Sequence, residues 1–422
     1  MSHRPSARDL GIPFDGEPGP HNAITDVPGV EVGHTTLIEG DGPLIIGQGP
    51  IRTGVTVIHP LGNEILGPVP AAWFSFNGNG EMTGTTWIEE SGLLEGPILL
   101  TNTVSIGTVR DAVIKWARKK QEAAGTFNPN EYGLTLALPV VAETWDGGLN
   151  DIFGFHVREE HVAHALDTAQ SGPVAQGNVG GGTGMTCYDF KGGIGSSSRV
   201  VSESRRGLSP FVESSEQKGT VPFSAGGSRT GSQPEAYTVG VLVQANHGNR
   251  SDLLIRGVPV GRELPLSEIP HYRDSRKSSI LIMIGTDAPL LPHQLKRLAR
   301  RATLGLGRTG TVGNNGSGDI FLAFSTTNSL ASQGSSAPPP SLLTGEGRGE
   351  GAASPGPWPL TSGPLLPNAE LDPLFEATTE ATEEAIINAL VAAETMTGRD
   401  HHTAHAVPHQ RLQEIMRKYN RL

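Results

Sequence analysis

A serine at the start of an apolar run is the first candidate for chemistry. In residues 275–292, SRKSSILIMIGTDAPLLP, a charged segment stops at Ser279 and the apolar residues 280–284 follow without a polar break. An apolar run of this length is typical of a buried strand. Ser279 either caps that strand or becomes a new amino terminus because the chain is cut before it.

A second pair of polar residues stands at the start of another strand pattern, NGSGDIFLAFST, residues 315–326. Ser317 and Asp319 are two residues apart, so they share a face if the chain is extended. A serine beside a carboxylate at that place can orient and polarise a neighbouring nucleophile. Asn-Gly-Ser-Gly-Asp is also ideal turn chemistry, and composition alone favours the turn.

Two further strand ends carry groups that suit catalysis. Asn246 closes the apolar run VLVQANHG, residues 241–248, and its amide could donate a hydrogen bond to an oxyanion. Asn before Gly at a strand end is equally a turn signal. Glu143 follows an apolar run in ALPVVAETWDGGLND, residues 137–151, where it is either a partner for a substrate ammonium group or an ordinary strand-end charge.

Two other motifs do not predict a bound group. The glycine-rich stretch GNVGGGTGMTCYDFKGGIGSSS, residues 177–198, lacks the Gly-Lys-Ser/Thr of a phosphate-binding loop, since Lys191 is followed by two glycines. We interpret it as a loop packed against an active site or a partner subunit. His401, His402, His405 and His409 lie in a tail interrupted by Pro408, which we interpret as solvated or packed. We predict neither a metal nor a cofactor.

The elements that must position these residues alternate between strands and helices. Strands are predicted at 54–60, 71–76, 96–104, 132–144, 280–285 and 319–326, and helices at 108–116, at 157–169 and from residue 292. A long helix is predicted from Asp372 as N-cap, with Pro373 next, to Gly398 as its stop. Helices that cover sheets of mixed or antiparallel strands predict a layered α/β protein.

Two segments differ in composition from the rest of the chain. Residues 203–235 are polar and glycine-rich, and residues 329–370 are rich in Pro, Gly and Ser. Neither can bury enough apolar surface to offset the entropy of ordering, so we expect flexible insertions. We treat the remaining sequence of 1–422 as a single domain.

Composition excludes several classes of partner. The 422 residues carry a net charge of −11, which argues against nucleic acid or an anionic membrane as the partner. The one cysteine, Cys187, excludes an internal disulfide. We find no signal-peptide pattern and no apolar run long enough to cross a membrane, so a cytoplasmic protein is expected.

Several of these motifs together resemble one family, the D-aminopeptidase/β-peptidyl aminopeptidase family of the DmpA type. The resemblance covers ITDVPGVEVGHTTL (24–37), ETWDGGLND (143–151), GNVGGGTGMTCYDFKGGIGSSSR (177–199), VLVQANHG, SILIMIGTDAPLLPHQLKRLARRA (279–302) and NGSGDIF. It spans most of the chain outside the two insertions.

The resemblance implies a self-cleaving N-terminal nucleophile hydrolase with an αββα sandwich that assembles as a homo-oligomer, a tetramer in the family. It implies a cut that gives chains 1–278 and 279–422 and makes Ser279 the nucleophile. Ser317 and Asp319 would orient it, Asn246 would be an oxyanion donor, and Glu143 would hold the free amine of short peptide, amide or ester substrates. A freed α-amine, whose ordinary pKa is about 7.7–8.0, would be the base that a hydroxyl nucleophile needs.

Two alternatives stay open at the level of sequence. An acyltransferase of the ornithine acetyltransferase type resembles this architecture but uses a threonine nucleophile, and the nearby Thr286 lies in a turn pattern. The other alternative is a glycine-rich oligomeric binding protein that never cleaves itself.

Overall fold

The computed structural model describes residues 4–64, 67–127, 138–202, 236–272, 278–327 and 365–422. The predicted insertion at 203–235 lies outside the described residues, as do residues 329–364 of the second one. The last part of that second segment, residues 365–370, is described and packs against the domain. Leu366 is buried there, and its N–H donates to Pro289 O.

The described residues form strands and helices with the following bounds. The strands are β1 Glu31–Glu39, β2 Ile51–His59, β3 Pro68–Gly78, β4 Leu93–Glu95, β5 Ile98–Asn102, β6 Val140–Thr144, β7 Thr186–Cys187, β8 Phe190–Lys191, β9 Gly193–Ser202, β10 Ala236–Asn246, β11 Ser278–Thr286, β12 Ser317–Ser325, β13 Met396–Thr397 and β14 Thr403–Ala404. The helices are α1 Thr85–Ser91, α2 Ile106–Ala123, α3 Glu159–Asp167, α4 Val260–Glu263, α5 Pro292–Arg308, α6 Asp372–Val391 and α7 His409–Lys418.

Two sheets stack between two layers of helices. A four-stranded sheet has the order β1-β2-β5-β6, and a six-stranded sheet has the order β4-β3-β12-β11-β10-β9. The pairs β5/β6 and β11/β12 are parallel, whereas the other pairs in these two sheets are antiparallel. Helices α2 and α3 cover the smaller sheet, and α5 and α6 cover the larger one. The predicted αββα sandwich is therefore confirmed.

Alternating side chains of the strands divide the apolar core into layers. Along β11, Leu281 and Met283 belong to the cluster between the sheets, whereas Ile280, Ile282 and Ile284 belong to the cluster under the helices. Both faces of β11 are thus buried, which explains why its sequence is apolar without a polar break. The polar residues of β11 stand at its two ends, Ser278 and Ser279 at the start and Thr286 at the finish.

The last long helix differs from the sequence prediction at both ends. Leu371 is its N-cap, Asp372 is already helical, and the helix ends at Val391 rather than near Gly398. Asn178 explains the early end, because its side chain donates to Glu394 O and accepts from Glu394 N. Gly398 has another role, since a Cβ there would lie 2.0 Å from Leu149 O.

Candidate active site

The start of β11 lies between two neighbouring strands whose ends carry the predicted polar residues. Ser279 is the Cα partner of Asn246 on antiparallel β10 and of Gly318 on parallel β12. Ser278 is the partner of Ser317. The sheet register therefore brings three segments that are far apart in sequence to one edge.

The hydroxyl of Ser279 contacts the peptide group that precedes it. Ser279 Oγ donates to Ser278 O at 2.7 Å, and it accepts from Gly318 N at 3.2 Å. Ser279 is buried. A Cβ on Gly318 would lie 2.4 Å from Asn79 O, so a glycine at this position lets residues 79 and 80 pack closely against β12.

Ser317 and Asp319 form a hydrogen-bonded pair on β12. Ser317 Oγ donates to Asp319 Oδ1 at 2.5 Å, and Asn77 Nδ2 donates to Asp319 Oδ2 at 2.9 Å. Ser317 Oγ is also 3.4 Å from Ser278 Oγ. Burial raises the pKa of Asp319, while the hydrogen bonds from Ser317 and Asn77 oppose that rise. The pair faces the residue just before Ser279.

Asn246 is held in one orientation by its neighbours. Its Oδ1 accepts from Thr186 N at 2.9 Å, and its Nδ2 donates to Trp145 O at 2.9 Å. If the amide oxygen and nitrogen were exchanged, Nδ2 would face the N–H of Thr186 and Oδ1 would face the carbonyl oxygen of Trp145. Only the observed orientation therefore satisfies both partners. The second hydrogen of Nδ2 remains as a further donor.

A cavity of about 330 Å³ opens at this edge of the sheet. Asn246, Gly248 and Ser278 line it, together with the aromatic side chains of Trp145 and Tyr272. Ser279 is the residue that follows Ser278 in the chain. The cavity can therefore hold a small molecule next to the Ser278–Ser279 peptide bond.

Glu143 lies on a different side of this site, at the end of β6. Its Oε1 accepts from Glu81 N at 3.1 Å, and its Oε2 accepts from the hydroxyl of Thr103. Glu143 Oε1 and Gly318 Cα both lie within 3.4 Å of the point where a Cβ on Gly80 would stand. Burial raises the pKa of Glu143, against hydrogen bonds from Thr103 and Glu81 that lower it. The carboxyl group is thus buried close to Gly318, although it does not line the cavity.

The other motifs of the sequence lie around this centre. The glycine-rich stretch contributes β7, β8 and β9, and its Thr186 lines the cavity. His402 stacks on Tyr272, with 4.8 Å between ring centroids, and His409 begins α7. No group of metal-binding side chains occurs within the part of the chain that the structure describes. Thr286 ends β11, where its hydroxyl donates to Thr238 O.

Sequence reasoning missed several groups that contact the predicted residues. The side-chain amide of Asn77 donates to Asp319, and the hydroxyl of Thr103 donates to Glu143. Two further donors are backbone N–H groups, that of Thr186 to Asn246 and that of Gly318 to Ser279. Asn77 belongs to NGNG, residues 77–80, which reads as a turn. No pattern of residue types in the sequence indicates the two backbone donors.

Comparison with known proteins identifies the family. The profile of peptidase family S58 matches residues 22–214 and 218–404. The β-peptidyl aminopeptidase BapA of Sphingosinicella microcystinivorans is 46% identical over 99% of this chain and 93% of its own length. BapA of Sphingosinicella xenopeptidilytica is 45% identical over 98% of this chain and 91% of its own.

Solved structures show the same architecture. The L-aminopeptidase D-Ala-esterase/amidase of Ochrobactrum anthropi, a prototype for the serine aminopeptidases with a variant of the Ntn hydrolase fold, has a TM-score of 0.80 and 42% identity. The match covers 99% of this chain and 100% of that one. A β-aminopeptidase from Burkholderia sp. has a TM-score of 0.76 and 43% identity, with 98% and 99% of the two chains covered. The chain therefore belongs to peptidase family S58 and is a serine aminopeptidase with the N-terminal nucleophile hydrolase fold.

Proposed function

We propose that this aminopeptidase cleaves itself between Ser278 and Ser279 and then uses Ser279 as its nucleophile. The observation that carries the proposal is the position of Ser279 Oγ, 2.7 Å from the carbonyl oxygen of Ser278 and within reach of Gly318 N. This hydrogen bond keeps the serine hydroxyl beside the peptide group whose carbonyl carbon it would attack.

Self-cleavage would proceed through an ester. Ser279 Oγ attacks the carbonyl carbon of Ser278, the C–N bond breaks, and the proton of the hydroxyl passes to the nitrogen, which becomes the α-amine of Ser279. Water then hydrolyses the ester, which leaves a carboxylate on Ser278 and restores the hydroxyl of Ser279. The products are the chains 1–278 and 279–422.

The mature enzyme would use the same groups on its substrates. The α-amine of Ser279, in its neutral form, accepts the proton of the hydroxyl as the hydroxyl attacks the substrate carbonyl. The free hydrogen of Asn246 Nδ2 stabilises the resulting oxyanion. Ser317 and Asp319, joined at 2.5 Å, orient the new amino terminus.

Glu143 would bind the free amine of the substrate. Its buried carboxylate has two hydrogen-bond donors but no cation within the described residues around it, so an incoming ammonium group can pair with it. We place the substrates among short peptides, amino-acid amides and esters with an unblocked amino terminus.

Comparing blocked and free substrates tests this function. The purified protein is assayed with alanine amide, β-alanine amide and their N-acetyl forms. We expect hydrolysis of free amides and little or none of the acetylated ones. Equal rates on the free and acetylated forms would contradict the proposal that a free amine is bound.

Self-association and a cytoplasmic location complete the proposal. Ile45, Ile46, Phe153 and Phe155 are all more than half exposed, and their loops are joined by a hydrogen bond from Gly47 N to the Asp151 carboxylate. Exposed apolar side chains grouped in this way are typical of an interface between subunits. Light scattering on the purified protein measures the oligomer, and a mass near that of a single chain would contradict self-association. In the described part of the chain, no helix is sufficiently long and apolar to span a bilayer.

A further inference from the structure

A buried lysine lies behind the candidate oxyanion donor. Lys191, on β8, is fully buried, and its Nζ donates to Met185 O at 2.5 Å, to Gly192 O at 2.8 Å and to Gly182 O at 3.3 Å. Three carbonyl oxygens thus accept from one amino group. None of the residues with a role proposed above contacts Lys191 directly.

The connection to the active site runs through one peptide group. The carbonyl of Met185 accepts from Lys191, and the N–H of the same peptide group, that of Thr186, donates to Asn246 Oδ1 at 2.9 Å. Asn246 in turn donates from Nδ2 to Trp145 O, and it lines the cavity. Lys191, the Met185–Thr186 peptide group and Asn246 form a continuous chain of hydrogen bonds.

Hydrogen bonds in such a chain strengthen one another. A cation that donates to an amide oxygen draws electron density from the amide, which makes its N–H a better donor. The same effect passes through the side-chain amide of Asn246, because Oδ1 accepts and Nδ2 donates. Burial keeps the effective dielectric constant low, so the charge is not screened by water.

The acceptors around Lys191 favour its charged form. Burial, with a smaller effect of Arg4, lowers the pKa of Lys191 to about 7, against the opposing effects of Cys187 and Asp146. A neutral amine would offer only two hydrogens to the three carbonyl oxygens and would need a donor for its lone pair. An ammonium group matches all three acceptors.

We propose that Lys191 is a positioning residue for the oxyanion site, which fixes and polarises Asn246 through the Met185–Thr186 peptide group. The inference rests on the proposed oxyanion role of Asn246. Lys191 touches no reacting atom, so its effect falls on the transition state rather than on substrate binding.

A double-mutant cycle tests this inference. Lys191→Met removes the ammonium group at similar side-chain length, while Met185 O keeps its hydrogen bond from Gly192 N at 3.0 Å. We expect Lys191→Met to lower kcat on the order of tenfold with KM unchanged, and Asn246→Ala to lower it roughly 100-fold or more. In the Asn246→Ala background, Lys191→Met should have almost no further effect, because the group that it acts through is gone.

Two further variants separate this role from a general loss of stability. Phe190→Leu alters a buried neighbour of Lys191 on β8 but leaves the chain of hydrogen bonds intact, so its kcat should stay near that of the parent. Lys191→Gln keeps an amide donor and replaces Lys191→Met if the latter does not fold. All rates are measured on fully cleaved protein, whose melting temperature is recorded.

The outcomes distinguish the role of Lys191 from the oxyanion role of Asn246, on which it rests. Full additivity of Lys191→Met and Asn246→Ala, or an unchanged kcat in Lys191→Met or in the folded Lys191→Gln, would overturn the role of Lys191 alone. An equal loss of kcat in Phe190→Leu would reduce Lys191 to a structural residue. Full activity of Asn246→Ala would overturn the oxyanion role, and the role of Lys191 with it.

Discussion

Asn246 and Ser279 stand directly opposite each other as Cα partners on the antiparallel strands β10 and β11. Because strand register fixes this pairing, the two groups do not depend on a loop conformation to meet. A shift of β11 by one residue would turn Ser279 to the other face of the sheet, away from Asn246.

Replacement of Ser279 should abolish both self-cleavage and peptidase activity. Ser279→Ala removes the hydroxyl that attacks the Ser278 carbonyl, so we expect a single chain of 44.4 kDa and a loss of kcat of at least about 10³-fold. Denaturing gel electrophoresis and amide hydrolysis measure the two effects. Ser278→Ala is the matched control, and it should still be cleaved because its carbonyl group is retained. Two fragments from Ser279→Ala would exclude Ser279 as the nucleophile of cleavage.

Glu143→Gln should impair substrate turnover without impairing self-cleavage. The variant loses the negative charge that pairs with a substrate ammonium group, and we expect kcat/KM for alanine amide to fall on the order of 100-fold. The precursor presents no such amine, so fragment yield should match the parent. Glu81→Gln serves as control, since Glu81 contributes its backbone N–H and its side chain is exposed.

The same carboxyl group predicts a pH dependence. Burial raises the pKa of Glu143, so its charge is lost at a higher pH than that of an ordinary glutamate. KM for free amides should therefore rise as the pH falls through this raised pKa, and Glu143→Gln should lack that dependence. An identical acid limb of KM in the parent and in Glu143→Gln would show that another group is responsible.

Asn77→Ala should slow self-cleavage through Asp319. The amide of Asn77 donates to Asp319 Oδ2 and so stabilises the carboxylate against the effect of burial. Without it the pKa of Asp319 should rise further, and the acid limb of the cleavage rate should move to higher pH. Asn79→Ala is the control, because Asn79 donates to Gly316 O instead. Unchanged pH profiles in Asn77→Ala would exclude a role for this carboxylate in cleavage.

Shortening the second insertion should preserve the enzyme. Its two flanks are held close together, since Thr326 N donates to Thr286 O and Leu366 N donates to Pro289 O. A short linker can therefore join them, and loop entropy changes by only about 0.6 kcal/mol for each doubling of length. Replacing residues 333–364 with a Gly-Ser linker should leave fragment yield and oligomer mass unchanged. An insoluble or uncleaved variant would show that the segment is structural.

The sequence predicted the layers and most of the strands because their apolar periodicity is local. It also predicted Ser279, Ser317, Asp319 and Asn246 as neighbours, but only through resemblance, since composition alone favoured turns for two of these motifs. The structure brings them to one edge of the sheet, while their catalytic roles stay predictions.

Contacts between distant segments were beyond the reach of sequence patterns. Asn77 lies 242 positions from Asp319, and Thr186 reaches Asn246 through its backbone N–H, which no residue type reveals. The end of α6 was misplaced for a similar reason. Its stop depends on Asn178, which lies 216 positions before its partner Glu394, rather than on the glycine that local rules favour.

The most direct test of the account is the amino-terminal sequence of the smaller fragment of the purified protein, read together with the intact masses of both fragments. The account predicts a fragment that begins SILIMI at Ser279 and a second fragment that ends at Ser278. A smaller fragment that begins at Ser251 or Ser278 would move the nucleophile, and a single uncleaved chain in an active preparation would contradict the central claim.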